Sequence, residues 1–75
     1  MFNVMTNRQV RDLADRKVMV KAEPSGWEVF RAGRRIGFVW QEGYRNLAGH
    51  TRGGALSWDG FRTLYDAVTC IVDNV

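Results

Sequence analysis

Residues 57–75 read SWDGFRTLYDAVTCIVDNV, and this stretch decides the fold. Phe61, Leu64, Tyr65, Val68, Ile71, Val72 and Val75 recur at i, i+3, i+4 and i+7, the spacing of one face of an α-helix. Arg62, Thr63, Asp66, Thr69 and Asp73 take the other side. Ser57 is a good N-cap, because its hydroxyl can accept from the free amides of a first turn. Leu56 and Phe61 stand where a hydrophobic staple would close over that cap. The reading is therefore a helix over 57–75. A helix with so apolar a stripe must lie on something, and the only large candidate is a sheet earlier in the chain.

Residues 17–50 supply that sheet as an antiparallel meander of four strands. Val18 to Ala22 alternates, and Pro24-Ser25-Gly26 brings turn chemistry. Trp27 to Arg31 is the second strand, Arg35 to Gln41 the third and Tyr44 to His50 the fourth. Two-residue turns at Pro24-Ser25, Gly33-Arg34 and Glu42-Gly43 pair Ala22 with Trp27, Trp27 with Trp40, and Phe38 with Leu47. One face then collects Val18, Val20, Ala22, Trp27, Val29, Ile36, Phe38, Trp40 and Leu47, and should receive the helix. The opposite face holds Met19, Lys21, Glu28, Phe30, Arg35, Gly37, Val39, Gln41, Tyr44, Asn46, Ala48 and His50, with Lys21 opposite Glu28 and Met19 opposite Phe30. Thr51-Arg52-Gly53-Gly54 reads as a flexible connection.

Thr6-Asn7-Arg8-Gln9 fits a capping box and opens a short helix ending near Lys17, with Met5 and Val10 at staple positions. Val10, Leu13 and Ala14 give it only a narrow apolar edge, so it leans on the domain without forming its centre. The fold class expected is α+β: a short N-terminal helix, a four-stranded antiparallel meander and a C-terminal amphipathic helix packed on one sheet face. A chain of 75 residues holds one domain. At this size roughly 60% of the unfolded surface is buried, which the aromatic residues help to offset.

Several function classes fall away on composition. A lone cysteine, Cys70, forms no internal disulfide and reads as a small buried hydrophobe on the helix. One histidine, His50, lies far from it in sequence, so neither a metal cluster nor a nucleophile–base pair is expected. Gly33, Gly37 and Gly43 are scattered over two turns and a strand and make no phosphate loop. Polar Asn3, Thr6 and Asn7 follow Met1 without an apolar leader, and no membrane-spanning run occurs, so a cytoplasmic, non-enzymatic protein without cofactor is the expectation.

Charge points to a surface. The formal net charge is +3, and the segment from Arg31 to Arg52 carries five arginines (Arg31, Arg34, Arg35, Arg45 and Arg52) against one acid, Glu42. That segment is +4, while the remaining six bases and seven acids give −1. The meander brings Arg31, Arg34, Arg35 and Arg52 to one sheet end and leaves Arg45 at the other. With Tyr44 and Phe30 on the outer face, these residues make up the candidate binding surface.

Two readings follow. Arginine and aromatic side chains dominate protein hot spots, and a face mixing Met19, Phe30, Val39 and Tyr44 suits a dry patch with an arginine rim. The alternative is a nucleic-acid surface, with arginines on phosphates and Tyr44 or Phe30 stacking on unpaired bases. Over residues 27–75 the strand order of a meander backed by a C-terminal helix resembles the plant AP2 domain and the arm-binding domains of phage-type integrases, which implies DNA reading through the sheet. The compact chain also resembles the small proteins that phages encode to bind and block host machinery. The modest net charge favours a protein or nucleoprotein partner, with self-association as a third outcome and no membrane contact.

Overall fold

The computed structural model describes residues 4–75, so Met1 and Asn3, on which the leaderless reading partly rests, lie outside the described residues. Its elements run α1 (Asn7–Asp15), β1 (Val18–Glu23), β2 (Gly26–Arg31), β3 (Arg34–Gly43), β4 (Asn46–Thr51), a 3₁₀ turn (Arg52–Gly54), β5 (Ser57–Phe61) and α2 (Leu64–Asp73). The fold is α+β, with a five-stranded antiparallel sheet in the order β1-β2-β3-β4-β5 and both helices associated with it.

The fifth strand corrects the four-strand expectation. Ser57 does not cap a helix: it pairs with His50, and β5 continues to Phe61 opposite Leu47. Gly60 has φ +86, a conformation that no helix interior accepts. The helix starts later, at Thr63, whose hydroxyl accepts from the Asp66 amide at 3.1 Å. The connection before β5 is held rather than loose, because the Thr51 hydroxyl accepts from the Leu56 amide at 3.2 Å. With its proposed cap gone, the Leu56–Phe61 staple goes too, and Leu56 is exposed.

From Thr63 on, the apolar stripe behaves as its spacing requires. Leu64, Ala67, Val68, Ile71 and Val72 are buried, and they form one core with Leu13, Val18, Val29, Ile36, Val39 and Leu47. Ile71 seats on two glycines. A Cβ built on Gly37 would stand 2.8 Å from Ile71 Cγ2, and one on Gly49 would stand 3.3 Å from Ile71 Cδ1. The missing side chains are what let α2 approach β3 and β4 so closely.

Thr6 caps α1 with a complete capping box, Gln9 answering the Thr6 amide at 3.0 Å. The helix lies on the same side of the sheet as α2. Leu13 enters the common core, the Tyr65 hydroxyl donates to Asp12 at 2.6 Å, and Arg16 reaches Asp73 at 3.7 Å. The hydrogen bond it donates to Asp12 holds the Tyr65 phenol above its ordinary pKa. Cys70 on α2 is half-buried, and burial pushes its thiol up, away from the reactive thiolate.

Register matches expectation in the first hairpin and departs from it afterwards. Ala22 pairs with Trp27, Lys21 with Glu28 and Met19 with Phe30. The second turn lies at Ala32-Gly33, one residue earlier than its sequence suggests, with φ +52 and +79. A β-bulge follows at once: Phe30 pairs with Arg35 but Val29 with Gly37, which leaves Ile36 as the extra residue. Ile36 and Gly37 both face the core, and every later side chain on β3 changes sides. Val39 is fully buried under α2, while Phe38 and Trp40 turn to the outer face, contrary to the parity argument. Trp27 does pack on the core, half-buried. The third turn is Tyr44-Arg45, displaced from the expected Glu42-Gly43, so Phe38 faces His50 and not Leu47.

Candidate functional site

Both helices lie on one side, and no described residue covers the other side of the sheet. Its centre is an aromatic cluster that the bulge in β3 creates. Phe38 and Trp40, two apart on β3, stack with ring centroids 6.3 Å apart and planes at 20°. His50, directly opposite Phe38 on β4, joins them at 6.0 Å from Phe38 and 5.3 Å from Trp40. All three rings are half-buried. Such rings are stiff, with few rotatable bonds to immobilise, and suit a recognition surface. His50 Nδ1 lies 2.9 Å from the Thr51 carbonyl. A carbonyl only accepts, so Nδ1 carries a proton in this contact.

Charged groups frame the cluster. The Arg35 guanidinium sits 5.9 Å from the Phe38 centroid and 3.4 Å from a Glu28 carboxylate oxygen. The Glu28 side chain is only 16% exposed, so Arg35 neutralises a poorly hydrated charge. A hydrogen bond with Glu28, reinforced by desolvation and by repulsion from the same group, raises the Glu23 pKa. At the other end, the Trp40 indole N–H donates to the Glu42 carboxylate. There Trp40, Glu42, Ala48, Ser57 and Asp59 line a shallow notch. An indole, two carboxylates and a hydroxyl converge on it, a set suited to a cation and its hydrogen bonds.

The seven residues expected at the site separate. Arg31, Arg34 and Arg35 do share one hairpin end, since Arg31 pairs with Arg34. Arg52 follows Thr51, the partner of Gly37, and so returns to the same end. Their roles differ, however. Arg31 turns to the helix side, where Nη1 and Nη2 donate at 3.4 Å to the Val72 and Val75 carbonyls and cap the α2 C-terminus. Arg35 is tied to Glu28, which leaves Arg34 and Arg52 as the exposed cations of that end. Arg45 lies at the opposite turn with its guanidinium 5.5 Å from the Tyr44 ring, and Tyr44 is 82% exposed. Phe30 is on the outer face beside Met19 and Arg35. Parity reasoning missed Phe38 and Trp40, and no residue before Ile36 marks the bulge that moves them.

Among the described residues no three His, Cys, Asp or Glu side chains come together as a metal site, and no helix is long and apolar enough to cross a membrane. The chain matches no protein-family model, no curated protein and no solved structure.

Proposed function

We propose that the chain is a non-enzymatic binding module that takes a protein or nucleoprotein partner on its outer sheet face. The observation that carries the reading is the Phe38–Trp40–His50 cluster on the face that neither helix covers. Glu23, Glu28, Glu42 and Asp59 belong to that face, against Lys21 and Arg35. A phosphate backbone laid across the rings would meet these carboxylates, which works against the nucleic-acid alternative. A protein segment bearing a lysine or arginine fits better, its cation over the Trp40 indole and between Glu42 and Asp59. Arg34, paired with Arg31 and beside Val75, sits on the helix side of that end, so Arg52 is the exposed cation left to act as a rim for acidic groups flanking the segment.

The test is a fluorescence titration of the full chain with an arginine-rich peptide and, separately, with single-stranded oligothymidine. The peptide should bind saturably, and Trp40→Ala or the pair Glu42→Gln with Asp59→Asn should weaken it at least tenfold. Reversal of the rim is best made as Arg52→Glu, with Arg34→Glu on the helix side as the control that should leave binding unchanged. Arg35→Glu would place a second carboxylate beside half-buried Glu28 and unsettle the fold as well as the surface. Oligothymidine binding that falls steeply with salt and disappears on rim reversal would overturn the reading in favour of nucleic acid. Absence of peptide binding would remove the basic-segment assignment.

A further inference from the structure

We propose that the chain pairs with a second copy of itself through β1, one of the two edge strands of the sheet, about a two-fold axis at Val20. β1 is six residues long, contains no proline, and among the described residues pairs on one side only. An edge of this kind is a ready template for another strand unless something blunts it. The Ala32 amide donates to the Lys17 carbonyl at 2.8 Å. Val18 and Arg31 are therefore a pair without mutual hydrogen bonds, and alternation makes Met19 and Lys21 the residues that bond to β2. Val18, Val20 and Ala22 consequently turn their N–H and C=O groups outward.

Those three positions select the partner. An antiparallel copy centred on Val20 sets Val20 against Val20, and Val18 against Ala22 of the second copy, in both directions. Every outward backbone group from Val18 to Ala22 is then matched, two hydrogen bonds to each facing pair. The same register places Lys21 opposite Met19, with no like charges facing along the strand, which ends at Val18 because Lys17 turns away with φ +64. Side chains agree. Beside this edge Met5, Val10, Leu13, Ala14, Val18 and Val20 line an apolar groove. Val10 is 49% and Met19 62% exposed, a poor arrangement for a lone chain. Because the axis is perpendicular to the sheet, both α1 helices fall on one side, where their Val10 residues approach across the axis. A strand of unrelated sequence would satisfy the backbone groups but has no reason to supply the apolar match along Val18, Val20 and Ala22.

The two aromatic clusters would then lie on the same side of one continuous ten-stranded sheet, twice the five of the single chain. The dimer stands whether or not the outer face binds a basic segment. The test is sedimentation equilibrium of the full chain across a hundredfold concentration range, paired with amide exchange. Dimer mass should appear at the upper end, with protection of the Val18, Val20 and Ala22 amides that is lost on dilution. Val20→Pro removes an outward N–H without breaking the β1–β2 ladder, and should give a folded monomer. Monomer mass throughout would overturn the proposal. So would a dimer that survives Val20→Pro.

Discussion

Gly37→Ala tests how α2 is seated. The added Cβ would stand 2.6 Å from the His50 carbonyl oxygen and 2.8 Å from Ile71 Cγ2. Carbon atoms in good contact stay about 3.5–4.0 Å apart, so the second approach is short by roughly 1 Å. The first cannot be relieved by a rotamer, because the carbonyl belongs to the backbone of β4, which is locked to β3 by its ladder. Overpacking of this kind costs about 1–3 kcal/mol, which in a domain this small lowers the melting temperature by roughly 4–8 °C per kcal/mol. Without a clash the sign would reverse, since replacing glycine where the backbone is unstrained stabilises by about 0.4–1 kcal/mol through the unfolded chain. The assay is urea unfolding followed by tryptophan fluorescence, for which Trp27 and Trp58 against the core are good reporters. Ile71→Ala alone should cost about 2–5 kcal/mol. In the double variant the methyl clash is gone and only the carbonyl contact remains, so the two losses should sum to less than their separate values. A Gly37→Ala protein as stable as wild type, or more so, would refute the close seating.

Thr63→Ala should cost about 1 kcal/mol by removing the α2 cap, whereas Ser57→Ala should leave thermal melting nearly unchanged, since Ser57 is an exposed strand residue. The raised Glu23 pKa gives a pH dependence of known sign. The folded state holds that proton more tightly than the unfolded one, so stability falls as pH rises from the ordinary carboxylate value of 4.5 through the raised one. Glu23→Gln should flatten that part of a melting-temperature profile. Removal of residues 55–75 takes away both β5 and α2, and the remaining fragment should show no cooperative melt.

The parts legible in the sequence were those whose signals are local. The Thr6–Gln9 capping box is complete in four residues, and Pro24-Ser25 sets the first hairpin's register by itself. The helical stripe from Leu64 to Val72 needed only its own spacing. Ser57 to Phe61 was misleading because Trp58 and Phe61 are three apart, which suits a helix and a bulged strand equally. Gly60, together with Thr63 three residues before Asp66, was the available signal for a later start. The outer face was not legible in the same way. Arg31 could be placed at the correct end, yet its hydrogen bonds to Val72 and Val75 arise only once α2 has docked. Alternation holds only while no residue is added, and an alanine at φ +52 hides the true turn.

The extra residue at Ile36 has an evolutionary side. Arg35 and Phe38 are three positions apart, which in a regular strand would put them on opposite surfaces, yet here the guanidinium lies over the ring. Point substitutions alter one side chain at a time and leave the pleat's addressing intact. Gain of one codon near the second turn would do something no series of substitutions reproduces, since it readdresses the whole of Phe38, Val39 and Trp40 in a single step. Without that extra residue, strand alternation would turn Phe38 and Trp40 to the core and Val39 to the solvent. In a protein this short, a new surface can thus arise from material already encoded for the core, and relatives are to be sought by length differences at this turn as much as by residue identity.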